Sequence, residues 1–245
     1  MKRILIATLT VLLPFSLRAD DPAKPAPAAG AKLATTPEVH GGTEKRIEMF
    51  NEISKKGEAQ LIFLGDSITH GWEGQKALWD SAWGQYKPAN FGIGGDRTEH
   101  VLWRLDHGNM DGLKPKLVVL MIGTNNTGHR NGKNAEAPQD TADGVKAIID
   151  RIHKKSPETK VLLLAIFPRG EKPDDKLRLQ NDAINAILAK MDDGKLVHFM
   201  DIGKAFLTPD GILTAEIMKD RLHPGAKGYQ IWADSIKDKV AQLMK

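Results

Sequence analysis

The chain reads as a three-layer α/β/α sandwich on a mostly parallel, five-stranded sheet. Two observations predict this. Short, unbroken apolar runs recur along the sequence, as expected of strands covered on both faces. Segments with helical apolar spacing separate those runs, and such alternation produces a parallel sheet flanked by helices.

Residues 1–36 stand apart from that pattern. Lys2 and Arg3 precede an apolar run over residues 4–17, and the small residue Ala19 follows, which predicts a signal peptide over residues 1–19 and hence export. Pro14 interrupts the run, which falls short of the roughly 20 apolar residues that span a bilayer, so a retained anchor is the weaker alternative. No integral membrane segment is expected once the signal is cleaved. Residues 20–36 are Pro, Ala, Lys and Gly without period, too poor in large apolar side chains to offset their ordering entropy. They read as a tether. Residues 37–245 then form one domain of ordinary size.

Within that domain, Glu44–Lys56 carries Ile47, Phe50 and Ile53 on one side and stops at Gly57, the pattern of a helix with a left-handed cap. The first strand is expected at residues 61–64. The others are expected at 117–122, 161–166 and Val197–Met200, with 89–91 as the poorest candidate. Val145, Ile148, Ile149 and Ile152 mark a helix that stops at Ser156-Pro157. Ile184, Ile187, Leu188 and Met191 mark a second before Gly194. Tyr229, Trp232, Ile236, Val240 and Leu243 give one face of a last helix beginning near Gly228. No internal repeat is visible.

Bulk properties narrow the function. The formal charge of +4 falls to +1 once Lys2, Arg3 and Arg18 leave with the signal, because no acidic residue precedes Asp20. Nucleic-acid and anionic-membrane partners therefore lose their electrostatic support. With no cysteine, neither disulfides nor thiolate chemistry is available.

In parallel sheets, ligands bind beyond the carboxyl ends of the strands, so the residues following each apolar run matter most. Ser67 follows the first strand and precedes a helix, where the next turn's N–H groups would adjoin its hydroxyl. That place suits a nucleophile, although a helix-capping serine is the plainer reading of Gly65-Asp66-Ser67 alone. Asp220-Arg221-Leu222-His223 offers a base with a carboxylate three residues earlier. In a bent loop, Asp220 can accept from Nδ1 while Nε2 faces the serine; the alternative is a turn-capping Asp220 and a surface His223. Gly95 and Asn125 could donate to an oxyanion, from a backbone N–H and a side-chain amide, or could simply form turns.

Taken together, Gly65-Asp66-Ser67, Gly95 within residues 90–96, Gly123-Thr124-Asn125-Asn126 and Asp220-Arg221-Leu222-His223 resemble the four blocks of SGNH/GDSL hydrolases, in order. The likeness is closest to the catalytic subunits of intracellular platelet-activating-factor acetylhydrolase, over residues 90–105 and in Phe167-Pro168-Arg169-Gly170-Glu171-Lys172-Pro173. It implies a flavodoxin-like sheet and hydrolysis of short acyl esters with neither metal nor cofactor. Position by position, it makes Ser67 the nucleophile, His223 the base and Asp220 its partner. The oxyanion hole becomes the N–H groups of Ser67 and Gly95 with the Asn125 amide. The signal and tether depart from those acetylhydrolases.

Ile68 and Leu222 flank the nucleophile and the base and could wall a small acyl pocket, or they could be ordinary core residues. Trp72, Trp79, Trp83 and Trp103 could stack on sugars, although core packing is favoured. Substrates compatible with these features are a small acyl ester or an acetylated glycan, with a lipid acetylhydrolase or lysophospholipase as the alternative. A rival of another class is a catalytically silent glycan-binding module. Other chemistries fit poorly. Gly92-Ile93-Gly94-Gly95-Asp96-Arg97 lacks the last glycine of a dinucleotide fingerprint, Thr69 breaks the Gly-x-Ser-x-Gly elbow, and no His-Glu-x-x-His pair is present. Oligomeric state leaves no mark in the sequence.

Overall fold

The computed structural model describes residues 33–127 and 136–245. The signal-peptide assignment and the tether as far as residue 32 lie outside the described residues. Among the described residues the α-helices and strands follow in the order α1 (Glu44–Lys56), β1 (Leu61–Gly65), α2 (Ser67–His70), α3 (Lys76–Trp83), β2 (Pro88–Gly92), α4 (Thr98–Asp106), β3 (Leu117–Met121), α5 (Pro138–Lys155), β4 (Lys160–Leu164), α6 (Lys176–Leu188), β5 (Val197–Met200) and α7 (Ala226–Leu243). The strands form one sheet in the order β2-β1-β3-β4-β5, and every pairing is parallel.

The period-two alternation of strand side chains divides the apolar runs between two cores. Ile62, Leu64, Val118, Leu120, Val161 and Leu163 face a layer built from α1, α4, α5 and α6. Leu61, Phe63, Leu117, Val119, Leu162 and Leu164 face the other layer, where α7 contributes Tyr229, Trp232, Ile236 and Val240. β1 and β3 are buried at every position, which explains why their sequences carry no polar residue. β2 lies at the sheet edge. It therefore tolerates Pro88 at its first position and the polar Asn90, the features that make it hard to read from sequence.

Several expected boundaries shift. The ladder of β4 ends at Leu164, because Asn185 on α6 takes over the backbone of Ile166, accepting from its N–H at 2.8 Å and donating to its C=O at 2.9 Å. The last residues of the expected tether fall within the described structure. Leu33–Thr35 form a short turn with Ala34 wholly buried, and the Ala34 C=O accepts from the Thr98 hydroxyl at 2.9 Å. The buried Ala34 side group and this hydrogen bond help dock a segment that composition assigns to a flexible linker. No helix among the described residues is long and apolar enough to cross a membrane.

The strand order reverses direction at β1 and β3, so the loops after β2, β1 and β3 lie side by side at their carboxyl ends. Gly95, Ser67 and Asn125 occupy those three loops.

Candidate active site

Ser67 is the first residue of α2, immediately beyond β1. Asp66 caps this short helix, its Oδ1 accepting from the Ile68 N–H at 2.9 Å. From α7, packed in the same core as Ile68, the Tyr229 hydroxyl donates to the Ile68 C=O at 2.7 Å and pins this turn to α7. The turn passes so close to β2 that a Cβ on Gly92 would overlap the backbone of His70, with its Cα at 2.7 Å. Only glycine fits there.

His223 arrives from the loop before α7. Its Nε2 lies 2.8 Å from Ser67 Oγ, and its Nδ1 lies 2.6 Å from Asp220 Oδ2. An ionised carboxylate can only accept, so Nδ1 carries the proton and the lone pair of Nε2 accepts from the serine hydroxyl. The loop reaches this shape through Arg221, a non-glycine residue at φ 61°, a conformation costing about 1–2 kcal/mol. It is held by the Arg221 N–H to the Met218 C=O at 3.0 Å and by Gly170 N–H donating to the Arg221 C=O at 2.9 Å. Asp220 Oδ1 in turn accepts from the N–H groups of Leu222 and His223, at 3.1 and 2.8 Å. Partial burial pushes the Asp220 carboxyl up. The hydrogen bonds from the His223 ring and from the two backbone N–H groups outweigh this and hold it below its usual value. Asp220 is therefore ionised at neutral pH and can steady an imidazolium.

The neighbouring loops bring hydrogen-bond donors. As the first helical residue, Ser67 has an N–H with no intrahelical acceptor. Gly95 sits at φ 80°, a left-handed conformation that favours glycine, and its N–H meets no acceptor among the described residues. The adjacent Gly94 lies against the serine: a Cβ there would be 3.9 Å from Ser67 Cβ. The Asn125 side-chain amide donates one hydrogen to the Asp96 C=O at 2.9 Å, leaving its second hydrogen available. Ser67, His223 and Asp220 thus meet directly, Gly94 brings the Gly95 loop up to the serine, and Asn125 is tied to that loop.

Ile68 and Leu222, beside the nucleophile and the base, differ in exposure. Ile68 is 1% exposed and belongs to the core around Phe63 and Trp232, while Leu222 is partly buried and packs against the same cluster. Ile68 follows Ser67 on a helix, so the two side chains diverge, and the one beside the nucleophile turns inward. The tryptophans divide similarly. Trp72 and Trp83 are wholly buried and pack on Phe63, whereas Trp79 and Trp103 are half-buried, the latter stacked on His107.

Several supporting groups escape sequence reading. Arg104, 1% exposed, donates to Asp96 Oδ2 at 2.9 Å and to the carbonyls of Phe91 at 2.8 Å and Gly65 at 3.2 Å, binding the ends of β1 and β2 to α4. Its signal was available, since position 104 falls three after Val101 on the apolar face of α4. Arg169 donates to the C=O and hydroxyl of Thr124, at 3.0 and 3.2 Å, steadying the turn that presents Asn125. Asp66 is wholly buried. Desolvation pushes its carboxyl up to about 7, with the neighbouring Asp96 charge adding to the rise and the Ile68 N–H and His223 opposing it.

Comparison with known proteins places the chain in a family. Residues 63–231 match the model of the GDSL-like Lipase/Acylhydrolase family. Platelet-activating factor acetylhydrolase IB subunit alpha2 of Rattus norvegicus is 36% identical over 193 residues, 78% of this chain and 80% of that protein. Among solved structures, a GDSL-like lipase from Bacteroides thetaiotaomicron superposes with a TM-score of 0.64 at 22% identity, covering 81% of this chain and 97% of the other. An acetylxylan esterase from Geobacillus stearothermophilus gives 0.60 at 18% identity, covering 75% and 94%. At those identities the two structures speak for the fold alone. The family match over most of the sequence makes the assignment: the protein is a carboxylic ester hydrolase and belongs to the GDSL-like lipase/acylhydrolase family.

Proposed function

We propose that the protein hydrolyses short acyl esters, acetyl esters above all, through an acyl-enzyme on Ser67. The observation that carries this reading is the continuous relay from Ser67 Oγ to His223 Nε2 at 2.8 Å and from His223 Nδ1 to Asp220 at 2.6 Å. As Ser67 attacks the ester carbonyl, His223 takes the hydroxyl proton and Asp220 steadies the resulting imidazolium. The oxygen that gains negative charge faces the N–H groups of Ser67 and Gly95 and the free hydrogen of the Asn125 amide. Collapse of the tetrahedral intermediate expels the alcohol, which leaves with the proton from His223. Water then attacks the acyl-serine, gives its proton to His223, and the acid departs as Ser67 is reprotonated.

The acetyl preference draws support from the acetylhydrolases that the protein resembles at 36% identity. Ile68 is buried in the core, and that kinship is what supports the preference. Release of p-nitrophenol from p-nitrophenyl acetate, beside a Ser67→Ala control, tests the reaction. Wild-type turnover at least about 10³-fold above the control is expected, and equal rates would leave a silent binding module as the better description. Equal rates on acetyl and octanoyl esters would contradict the short-acyl preference. Acetate release from acetylated xylan against an acetylated phospholipid chooses between a glycan and a lipid substrate.

We also propose that residues 1–19 direct export, on the strength of Lys2, Arg3, the apolar run and Ala19. Amino-terminal sequencing of the protein from its producing cells tests this, with a mature protein beginning at or near Asp20 as the expected result. A retained Met1 in a cytoplasmic fraction would contradict it.

A further inference from the structure

A second histidine–carboxylate pair adjoins the Gly94-Gly95 turn. His40 Nδ1 lies 2.8 Å from Asp96 Oδ1, and the wholly buried Asp96 accepts from Arg104 Nε on its other oxygen at 2.9 Å. The backbone C=O of the same Asp96 receives the Asn125 amide at 2.9 Å. The imidazole also lies over the preceding residue, so that a Cβ on Gly95 would stand 3.2 Å from His40 Cε1. His40 is itself held from two sides. Its ring stacks on His100 with centroids 4.4 Å apart, and its C=O accepts from the Thr43 hydroxyl at 2.6 Å just ahead of α1.

The ligand atoms of His40, Asp96 and His100 lie within 4.8 Å of one another, a spacing that could hold a cation. Their hydrogen bonds argue otherwise. Asp96 spends one oxygen on His40 and the other on Arg104, and His100 Nδ1 accepts from the Arg97 N–H at 3.1 Å. The Arg97 guanidinium stands 3.2 Å from His100 Nε2, where it would repel a metal ion. The cluster is a hydrogen-bonded clamp.

We propose that His40 is a positioning residue for the oxyanion hole, clamping Asp96 so that the Gly95 N–H and the Asn125 amide are held where negative charge develops. The proposal rests on the esterase reading. A loop carrying adjacent glycines has backbone freedom that blurs its donors, and a displacement of about 1 Å at such a site can cost about 100-fold in rate. His40 supplies a restraint from 56 residues away in the sequence, outside the loop itself.

His40→Ala, His40→Asn and His40→Gln, assayed on p-nitrophenyl acetate, test the clamp. Asparagine keeps a donor near the place of Nδ1, whereas glutamine carries its donor one carbon farther out. Reaction with diethyl p-nitrophenyl phosphate gives a second readout, because its phosphoryl oxygen would use the same donors. The alanine and glutamine variants should lose about tenfold in kcat and in phosphorylation rate with KM within about twofold, and asparagine should restore most of both. If the alanine variant does not fold, the asparagine–glutamine pair carries the comparison. Unchanged kcat and phosphorylation in a folded alanine or glutamine variant would overturn the proposal. So would a loss confined to KM, which belongs to a substrate contact. Wild-type hydrolysis that survives Ser67→Ala would sink the esterase reading and this proposal with it, whereas serine-dependent hydrolysis indifferent to residue 40 would sink the clamp alone.

Discussion

Replacing Asn125 by alanine removes two interactions of different kinds, and their magnitudes separate cleanly. One hydrogen of the amide donates to the Asp96 C=O at 2.9 Å in a half-buried setting. A neutral hydrogen bond of this sort contributes about 1 kcal/mol to stability. For a domain of this size, its loss should lower Tm by about 2–4 °C. The second hydrogen is proposed to meet the oxyanion, and an oxyanion donor is worth about 3 kcal/mol in the transition state, or about 100-fold in kcat. The uncharged ester oxygen gains far less from it, so KM should hold within about threefold. Both acylation and deacylation pass through an oxyanion, so the loss appears in kcat whichever step limits turnover. Steady-state kinetics on p-nitrophenyl acetate, with thermal denaturation of the same samples, give both numbers. A variant with wild-type Tm and kcat within about threefold would remove Asn125 from the hole and refute the reasoning.

Three further outcomes are expected. Because burial raises the folded-state pKa of Asp66 to about 7, the stability it contributes is fully present below about pH 4 and is lost as pH rises through 7, by up to about 4 kcal/mol; Asp66→Asn should therefore be more stable than wild type at pH 8 but not at pH 4, and parallel Tm-against-pH curves would contradict this. Gly92→Ala drives a Cβ into the backbone of His70, which cannot give way as a side-chain tip would, so its urea midpoint should fall by the equivalent of about 2–3 kcal/mol, and an unchanged midpoint would count against so tight an approach. Tyr229→Phe loses the buried hydrogen bond to the Ile68 C=O and should cost about 1–2 kcal/mol in chemical denaturation; no measurable cost would mean that α7 does not hold the Ser67 turn through that hydroxyl.

Much of the candidate site was legible because its residues lie at the ends of strongly patterned elements. The run at 61–64 places Ser67 one turn beyond a strand, and the pair at 220 and 223 carries its own geometry, since three residues of bent backbone let one carboxylate reach both the ring and the backbone N–H groups. Other features were illegible for physical reasons. Ile68 and Ser67 are neighbours in sequence, yet one faces the core and the other the base, and no local pattern in a four-residue helix indicates which. Ala34 lies in a stretch whose composition argues for a linker, but its burial depends on the small gap beside Thr98 and Gly144. The edge strand β2 is written with proline and asparagine: an edge tolerates Pro88, and Asn90 donates to the carbonyls of Thr69 and His70 at 3.0 and 3.3 Å, contacts across sequence that no local pattern reveals.

By itself, the amino-acid order determined the alternation of strands and helices, the two-sided burial of the sheet and the chemical types gathered at its carboxyl end. Those properties follow from side-chain period and turn chemistry acting over a few residues. Only the tertiary structure decided that Ser67 and His223, 156 positions apart, share a hydrogen bond, and that His40 and Arg104 converge on Asp96 next to the Gly94-Gly95 turn. These meetings depend on how α1, α4 and α7 pack across the sheet, and packing is a sum over the whole molecule that no short stretch of sequence contains.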